Sequence, residues 1–344
     1  MNQSLTNIAA VILAAGKSSR MKSKINKLMV MFEDKPLVQH VRDACAQAGI
    51  ERIVVVIGPE ARDINDSLGN SVEYAIQHDR LGTGHALMQA RQKLKDFQGD
   101  LVVLVGDHPF ITPESILYLI NHHRESQAAA TLLTALYEQP PAHGRIVRDK
   151  SGKVVRIVEE KDASAEEAKI KEVNISTYCF DTQSVLPLLD ELDVDNVQKE
   201  YYLTDIVAIL LRHRYRVEAI PYDDNKIGVG INSRWDLAVA LKIMRDDYLK
   251  KLMLSGVTII DPASTFVDST VKIGSDTIIY PYTYLEKGTI VGTDCAIGPQ
   301  VKLSSARIAN GAQIQFAVIE NSQIAAGKTI GPFVYYKNGE KFSN

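Results

Sequence analysis

The residues with the clearest chemical potential follow an apolar run near the start of the chain. The run from Ile8 to Leu13 is typical of a buried parallel strand, and Ala14-Ala15-Gly16 comes directly after it. Such small residues let backbone N–H groups approach a ligand closely. The cations Arg20 and Lys27 add positive charge nearby. The segment therefore favours a site for a nucleotide and its phosphates.

Two other interpretations of this loop have to be weighed. Gly16-Lys17-Ser18 resembles the end of a P-loop, but that motif needs a glycine at the position held here by Val11. The spacing therefore excludes a P-loop. A tight strand-to-helix turn without a ligand stays open, since such turns also use glycine and alanine.

A carboxylate occupies a comparable position later in the chain. Asp107 follows the apolar strand Leu101 to Val105, so its side chain is expected at the carboxyl end of a sheet. An acidic group at that edge suits a metal ligand. A helix cap or turn residue is the alternative.

These residues need a scaffold, and the first 230 or so residues alternate strand-like and helix-like segments. Ile53 to Ile57 is another short apolar strand, and Leu37 to Ala48 and Gly84 to Lys95 are amphipathic and helical. Strands separated by helices predict an α/β fold with a doubly wound parallel sheet, a Rossmann-like nucleotidyltransferase domain. The segment from Arg145 to Glu160 instead predicts a hairpin inserted over one edge of that sheet.

The last third of the chain has a different period. Seven aliphatic residues follow one another at steps of six, which is typical of a parallel β-helix with about four coils between Val267 and Asn338. They are Val267, Ile273, Ile279, Leu285, Val291, Ile297 and Leu303. A continuous helix from Arg234 to Leu254 separates the two patterns. We therefore expect domains at residues 1–233 and 256–344, with a linker helix at 234–255.

Composition excludes several classes of protein. The chain has 344 residues and a formal net charge of -3, which argues against nucleic-acid binding. Cys45, Cys179 and Cys295 form no CxxC pair, as expected for reduced thiols in a cytoplasmic protein. The first apolar run, Ile8 to Ala15, is too short to span a bilayer and no basic segment precedes it, so neither a membrane protein nor a secretory signal is expected.

An ordered series of motifs then resembles one family over nearly the whole chain. That family is the bacterial bifunctional N-acetylglucosamine-1-phosphate uridylyltransferase and glucosamine-1-phosphate acetyltransferase, here with a shortened left-handed β-helix. The motifs are the Leu13 to Gly16 loop with Arg20-Met21 and Lys27, Gln77, Leu81 to Ala86, Gly106 to Pro109, Gly144 to Ile146, Ile157 to Ala163, Val173-Asn174, Glu200 to Asp205 and Gly230 to Arg234.

The resemblance implies nucleotidyl transfer from UTP to a sugar-1-phosphate, with release of pyrophosphate. N-acetylglucosamine-1-phosphate is the first candidate for the sugar substrate. Asp107 and Asn232 would hold Mg²⁺, the cofactor, and Arg20 and Lys27 would neutralise the triphosphate. With Asp107, these two cations are the expected catalytic residues. A solvated surface charge is the alternative for both cations.

Substrate contacts are implied in the same way. Gln77, Gly82 and Thr83 would contact uracil, although Gly82-Thr83-Gly84 also suits a helix N-cap. The full nucleotide set is Leu13, Ala14, Ala15, Gly16, Lys27, Gln77, Gly82 and Thr83. The sugar set is Gly144, Glu159, Asn174, Tyr201 and Thr204.

Some positions depart from the family pattern. Val105, His143 and Ile175-Ser176 do so around the expected sugar pocket, and Ser18-Ser19 and Asn26 do so in the nucleotide loop. Another sugar-1-phosphate, such as glucose-1-phosphate, and a catalytically silent regulatory or assembly subunit therefore stay open. The resemblance also implies a homotrimer assembled through the β-helix. Because the sequence stops at Asn344, before the family's acetyl-CoA site, we expect no acetyltransferase activity.

Overall fold

The computed structural model describes residues 7–342 and divides the chain into two compact units, Met1–Leu237 and Ala238–Asn344. Residues 1–6 and 343–344 belong to the expected first and third segments and lie outside the described residues. No helix within the described range is long and apolar enough to cross a bilayer. Each unit has its own hydrophobic core.

The first unit is built on one central sheet. Its nine strands are β1 Ile8–Ala14, β4 Arg52–Ile57, β5 Glu73–Ile76, β6 Asp100–Val105, β7 Ala130–Leu136, β8 Arg145–Arg148, β9 Val154–Val158, β10 Glu172–Asp181 and β11 Val217–Pro221, while β2 Met31–Phe32 and β3 Lys35–Pro36 pair in a separate two-stranded sheet. The helices of the chain are α1 Leu37–Gln47, α2 Arg62–Leu68, α3 Thr83–Leu94, α4 Pro113–Ser126, α5 Thr182–Leu188, α6 Ile206–Arg212 and α7 Arg234–Leu254.

The main path of the sheet has the order β11-β7-β10-β6-β1-β4-β5. Strand β1 lies between β4 and β6 and is parallel to both. Along β1, Ala10 and Ile12 enter one apolar layer and Ala9 and Val11 enter the other, so both faces of the sheet are covered. The predicted α/β sheet is confirmed.

One strand departs from the purely parallel prediction. Strand β10 runs antiparallel to β6 and β7, and a bulge interrupts its pairing with β7 between Asn174 and Thr177. Strand direction depends on the path of the connections, and the alternation of apolar residues does not report it. The predicted hairpin is present as β8 and β9, which pair antiparallel. Asp149 closes their turn by accepting hydrogen bonds from the N–H groups of Ser151 and Lys153.

The second unit contains the predicted repeat, a left-handed β-helix. Its strands are β12 Thr258–Ile259, β13 Phe266–Val267, β14 Lys272–Ile273, β15 Ile278–Ile279, β16 Tyr284–Glu286, β17 Ile290–Val291, β18 Ala296–Ile297, β19 Val301–Ser304, β20 Arg307–Ile308, β21 Gln313–Ile314, β22 Ala317–Glu320, β23 Gln323–Ile324, β24 Thr329–Ile330, β25 Val334–Lys337 and β26 Glu340–Phe342.

Three sheets form the sides of this β-helix, and successive coils pair in parallel within each sheet. The aliphatic residues of the repeat point inward, as the burial of Ile279, Leu285 and Ile297 shows. The first strand, at Thr258, lies within the expected 256–344 segment and precedes Val267, the first residue of the six-residue series. Strand β26 turns back and pairs antiparallel with β25, which ends the parallel series.

Candidate functional site

Four charged or polar side chains meet at the carboxyl edge of the sheet in the first unit. The ammonium group of Lys27 pairs with the Asp107 carboxylate and donates to Asn232 Oδ1 at 2.7 Å. The Arg20 guanidinium donates to the same Oδ1 at 2.8 Å. Residues from three distant parts of the chain therefore form one cluster, called the Lys27–Asp107–Asn232 cluster below.

The loop that carries Lys27 is closed by its own side chains. Asn26 Oδ1 accepts from Leu28 N at 3.0 Å, and Ser18 Oγ accepts from Lys27 N at 3.1 Å. Ser18 also contacts Asn26 Oδ1 at 3.4 Å. Ser18 and Asn26, two residues that depart from the family pattern, therefore contact each other. Their hydrogen bonds close the loop that holds Lys27 beside the sheet.

Backbone hydrogen bonds place the two oxygen ligands of the cluster. Ile231 N donates to Asp107 O at 2.9 Å, which brings the Asn232 segment next to the end of β6. Asp236 then caps that segment by accepting from Asn232 N and Ser233 N at 3.0 and 2.8 Å. The positions of Asp107 and Asn232 are therefore fixed by the fold.

The electrostatic setting keeps Asp107 ionised. Burial of Asp107 favours its protonated form, but the nearby Lys27 charge and its hydrogen bond outweigh that effect and hold the pKa of Asp107 below its ordinary value. Burial also lowers the pKa of the neighbouring His108 to about 4. The histidine ring is therefore neutral near pH 7, and Lys27 is the nearby charge that balances Asp107.

The oxygen atoms of this cluster fit a divalent ion. One carboxylate and one amide oxygen already share a cation, the Lys27 ammonium group. Mg²⁺ prefers oxygen ligands and is usually held by one or two protein groups together with substrate phosphates. Among the described residues there is no group of three or more His, Cys, Asp or Glu side chains that could hold a metal. Any metal here would thus depend on Asp107, Asn232 and oxygen atoms of a ligand.

The segment from Leu81 to Gly84 at the start of α3 is hydrogen-bonded to the backbone of Tyr201, and this pairing is called the strap below. Tyr201 N donates to Leu81 O at 2.7 Å, and Gly84 N donates to Tyr201 O at 2.8 Å. A Cβ at Gly82, where φ is +111, would lie 2.5 Å from Tyr201 O. The glycine is therefore required by this close backbone contact as well as by its conformation.

Thr83 and Gln77 complete this part of the site. Thr83 Oγ1 accepts from Leu203 N at 3.0 Å, which ties the start of α3 to the segment before α6. Gln77 is buried, and its Nε2 donates to Gly82 O at 3.1 Å. The side chain of Thr83 does not cap its own helix, because no side-chain cap is formed at this N-terminus.

A cavity of about 180 Å³ lies beside Leu13 and Thr83. Its lining combines acidic, hydroxyl and aromatic groups, which suits a polar ligand with several hydroxyl groups. The lining residues are Leu13, Thr83, Val105, Glu159, Ser176, Tyr178, Gln198, Glu200, Tyr202, Leu203 and Thr204. Glu159 Oε1 accepts from Thr204 Oγ1 at 2.9 Å, and burial raises the pKa of Glu159 despite that hydrogen bond.

Gly144 and Asn174 do not line the cavity, but they lie next to residues that do. A Cβ at Gly144 would lie 2.8 Å from Ile157 Cγ2 and 3.5 Å from Glu159 Oε1. Asn174 is buried, and its Nδ2 donates to the Tyr178 hydroxyl at 2.7 Å. Gly144 O accepts from Asn174 N at 2.8 Å, so these two residues support each other next to Glu159.

The structure places Tyr201 outside the lining of this cavity. Its backbone is held by the strap to Leu81 and Gly84, and its ring lies 6.1 Å from the His85 ring. The adjacent Tyr202 lines the cavity instead, and its enclosed hydroxyl lies near Gln198 and Asp162. Neighbouring residues of an extended segment face opposite ways, so only the pairing of this segment could have distinguished them.

Tyr178 was not expected at the cavity, which it lines, because the bulge in β10 breaks the alternation that would have indicated this. Ser176, expected near the sugar pocket, lines the cavity too. Val105 lines it as well, in keeping with the departure noted there. His143 lies apart from the lining, with its ring 6.3 Å from His108 and Nε2 3.0 Å from Gly228 O.

Two family models and several curated relatives match this chain. Residues 10–198 match the MobA-like NTP transferase domain, and residues 270–305 match the bacterial transferase hexapeptide repeat. The bifunctional protein GlmU of a Geobacillus species is 44% identical over 97% of this chain and 73% of its own length. GlmU of Acetivibrio thermocellus is 46% identical over 96% and 72%, and that of Enterococcus faecalis is 41% identical over 97% and 73%.

Proposed function

Because the chain belongs to the GlmU family and is a sugar-1-phosphate nucleotidyltransferase, we propose that it converts UTP and N-acetylglucosamine-1-phosphate into UDP-N-acetylglucosamine and pyrophosphate. The observation that carries this proposal is the Lys27–Asp107–Asn232 cluster at the carboxyl edge of the sheet, together with the polar cavity lined by Glu159 and Thr204. Ligands of open α/β sheets bind at that edge.

The proposed step is a displacement at phosphorus. An oxygen of the sugar phosphate forms a bond to the α-phosphorus of UTP, and the bond from that phosphorus to the bridging oxygen of the β-phosphate breaks. Pyrophosphate leaves with the electron pair of the broken bond. The attacking phosphate is already anionic, so no side chain has to remove a proton. Positioning and charge neutralisation therefore have to supply the rate enhancement.

Arg20 and Lys27 are suited to neutralise the phosphates. Arg20 is exposed and Lys27 is half-buried, and both donate a hydrogen bond to the Asn232 amide oxygen. Gly16 supports a close phosphate approach, because no atom of residues 7–342 other than its chain neighbours lies within 4 Å of the position that its Cβ would take. We propose that Leu13, Ala14 and Ala15 contribute to the same phosphate loop.

Mg²⁺ is the proposed cofactor, and Asp107 and Asn232 are its proposed protein ligands. A bound Mg²⁺ would withdraw charge from the phosphate oxygens of both substrates. The residues of this chain contribute the rest. Asp107 is kept ionised by Lys27, and the capped segment before α7 holds Asn232 in place.

We propose that the uracil base and the sugar bind on different sides of the strap between Leu81 and Tyr201. We propose that Gln77, Gly82 and Thr83 bind uracil. We propose that Glu159 accepts hydrogen bonds from sugar hydroxyl groups, supported by Thr204. The remaining sugar residues are Gly144, Asn174 and Tyr202.

A second sugar stays a candidate for one specific reason. Val105 and Ser176, two of the positions that depart from the family pattern, line the sugar cavity. An apolar side chain at 105 removes a hydrogen-bonding group that a tyrosine there would offer. Glucose-1-phosphate is therefore the alternative substrate. A catalytically silent subunit is disfavoured because Arg20, Lys27, Asp107 and Asn232 are retained together in contact.

Assembly and location follow the family. We propose a homotrimer formed through the β-helix, and a cytoplasmic enzyme that uses the cytoplasmic pool of UTP. The absence of acetyl transfer stays a prediction, which an assay with acetyl-CoA and glucosamine-1-phosphate would check.

Pyrophosphate release tests the proposed reaction. The purified chain is incubated with UTP, Mg²⁺ and a panel of sugar phosphates that includes N-acetylglucosamine-1-phosphate and glucose-1-phosphate. Release that is fastest with N-acetylglucosamine-1-phosphate is expected. Release only with another sugar phosphate would correct the substrate, and no release with any pair would favour the silent subunit.

A further inference from the structure

Arg80, in the loop after β5, joins the loop after β1 to the loop after β4. Its Nε donates to Ala15 O at 2.6 Å, and its guanidinium pairs with the Glu60 carboxylate. A Cβ at Gly58 would lie 2.5 Å from Arg80 Nη2, so the glycine leaves room for the guanidinium. Arg80 therefore connects three loops at the carboxyl edge of the sheet and contacts the backbone of the first.

The hydrogen bond from Arg80 fixes the orientation of one peptide unit. The bond between Ala15 and Gly16 is trans, since the cis bonds of the described residues precede Pro299 and Pro332. In a trans peptide, the carbonyl and the N–H of the next residue point in opposite directions. Because Ala15 O is held toward Arg80, the Gly16 N–H points away from it.

This N–H group is open to a ligand. Within residues 7–342, the N–H groups of Gly16 and Lys17 donate to no protein acceptor, and both residues are exposed. The space beside Gly16 is also clear, because only its chain neighbours lie within 4 Å of its Cβ position among those residues. Backbone N–H groups in such a loop bind phosphate oxygens. The orientation of this peptide therefore suits an anionic ligand.

The charge of Arg80 is already balanced inside the protein. Two of its three nitrogen atoms are used, Nε by Ala15 and Nη2 by Glu60. A salt bridge from Nη2 to a phosphate would require the pair with Glu60 to break. An effect through Ala15 requires no rearrangement, so the contacts favour an indirect role for Arg80.

We propose that Arg80 is a positioning residue that holds the Ala15–Gly16 peptide so that the Gly16 N–H donates to a phosphate of the nucleotide. A phosphate oxygen is a charged acceptor, and hydrogen bonds to charged acceptors are stronger than those between neutral groups. This inference rests on the proposed binding of UTP by the loop from Leu13 to Gly16. It adds the residue that orients the donor of that loop.

Two substitutions at position 80 separate the hydrogen bond from the charge. In Arg80→Gln, the amide Nε2 is bonded to Cδ, as Nε is in arginine, so an N–H donor stays near Ala15 O. Arg80→Met places a methyl group at that position. Both substitutions remove the charge and the pair with Glu60. The two variants therefore differ in the donor to Ala15 alone.

The measurement is the Kd for UTP with Mg²⁺ and without a sugar phosphate, by calorimetry. Arg80→Met is expected to weaken binding about tenfold, because the Gly16 N–H is no longer held toward the phosphate. Arg80→Gln is expected to bind UTP within about threefold of the wild type. Arg62→Met, at the exposed first residue of α2, is the control and should bind UTP like the wild type.

The outcomes separate this inference from the proposed reaction. Equal weakening by Arg80→Met and Arg80→Gln would assign the effect to the charge and overturn the positioning role. Unchanged binding by an Arg80→Met protein that melts like the wild type would overturn it as well. If Arg80→Met does not fold, the Gly16 amide of the wild-type protein decides. Its proton resonance, observed after glycine labelling, should move downfield when UTP binds, and an unmoved resonance overturns the proposal.

The proposed reaction fails in a different way. A wild-type protein that binds UTP but releases no pyrophosphate with any sugar phosphate would contradict the reaction, while the two Arg80 variants would still decide the positioning role. A wild-type protein that binds no UTP would overturn both.

Discussion

Lys27 and Asn232 are 205 residues apart in the sequence, yet the lysine ammonium donates to the amide oxygen of the asparagine at 2.7 Å. The same ammonium pairs with Asp107, so one lysine joins both proposed metal ligands. A divalent ion bound by Asp107 and Asn232 would therefore compete with Lys27 for the same oxygen atoms. Bound substrate phosphates would offer Lys27 other anionic partners.

Removing the lysine charge should impair turnover more than folding. Lys27→Met is expected to lower kcat/KM for UTP about a hundredfold or more, since preorganised charge at a reacting phosphate is a large part of catalysis. Lys24→Met is the matched control, because Lys24 is exposed on the same loop. Equal activity of the two variants in the pyrophosphate assay would remove Lys27 from the catalytic residues.

Asp107→Asn should abolish most turnover and weaken metal binding. The amide keeps the shape of the side chain but removes the negative charge that attracts a divalent ion, so turnover is expected to fall about a hundredfold or more. Mn²⁺ binding in the presence of UTP, followed by electron paramagnetic resonance, should weaken in parallel. Asp96→Asn, at an exposed position, serves as the control. Unchanged Mn²⁺ binding by the Asp107 variant would place the metal elsewhere.

Replacing Glu159 should stabilise the folded protein at neutral pH but weaken binding of the sugar phosphate. Because burial raises its folded-state pKa, the folded protein binds this proton more tightly than the unfolded chain does. Stability from this group is complete below its ordinary pKa of 4.5 and is lost as the pH rises through the raised value. Glu159→Gln is therefore expected to raise the melting temperature at neutral pH but not in acid.

The same substitution should raise KM for the sugar phosphate about tenfold at neutral pH, because a charged acceptor is lost. In the wild-type protein, KM for the sugar phosphate should rise as the pH falls through the raised pKa of Glu159 and the carboxylate is protonated. A pH-independent KM in the wild type, or an unchanged KM in Glu159→Gln, would contradict a role for Glu159 in sugar binding.

Two adjacent tyrosines offer a direct test of the cavity. Tyr202→Phe removes an enclosed hydroxyl that lies near Gln198 and Asp162, so the free energy of unfolding should fall by about 1 kcal/mol or less. KM for the sugar phosphate should rise several-fold if that hydroxyl contacts the sugar. Tyr201→Phe, on the other side of the segment, should leave KM unchanged. If Tyr201→Phe raised KM and Tyr202→Phe did not, Tyr201 would be the residue that contacts the sugar.

Deleting the chain beyond Ser255 should change the oligomeric state. Both apolar layers of the first unit are composed of residues between Ile8 and Ile227, so this unit retains a complete core without the β-helix. Sedimentation is expected to give a trimer for the full chain and a monomer for the shortened one. A shortened chain that stays trimeric would show that another surface is responsible for assembly.

The sequence predicted the parts of the site that depend on local pattern. The strand before Gly16 and the strand before Asp107 were both evident, and the carboxyl ends of neighbouring parallel strands meet at one edge. The six-residue repeat likewise predicted the β-helix. Local pattern also indicated the hairpin of β8 and β9, because its turn has a clear composition.

Features that depend on long-range pairing could not be read from pattern. Asn232 joins the cluster because Ile231 N bonds to Asp107 O, and only the family resemblance pointed to it. The direction of β10 and its bulge follow from the connections between strands, and they decide that Tyr178 faces the cavity. The choice between Tyr201 and Tyr202 depended on the backbone strap to Gly84 in the same way.

The proposed metal site can be examined in a crystal structure of the enzyme with UDP-N-acetylglucosamine and Mg²⁺. We expect one ion bound to the Asp107 carboxylate and the Asn232 amide oxygen, with the Lys27 ammonium moved from the carboxylate onto a phosphate. An ion bound by other residues, or Lys27 still paired with Asp107 beside a bound product, would contradict it.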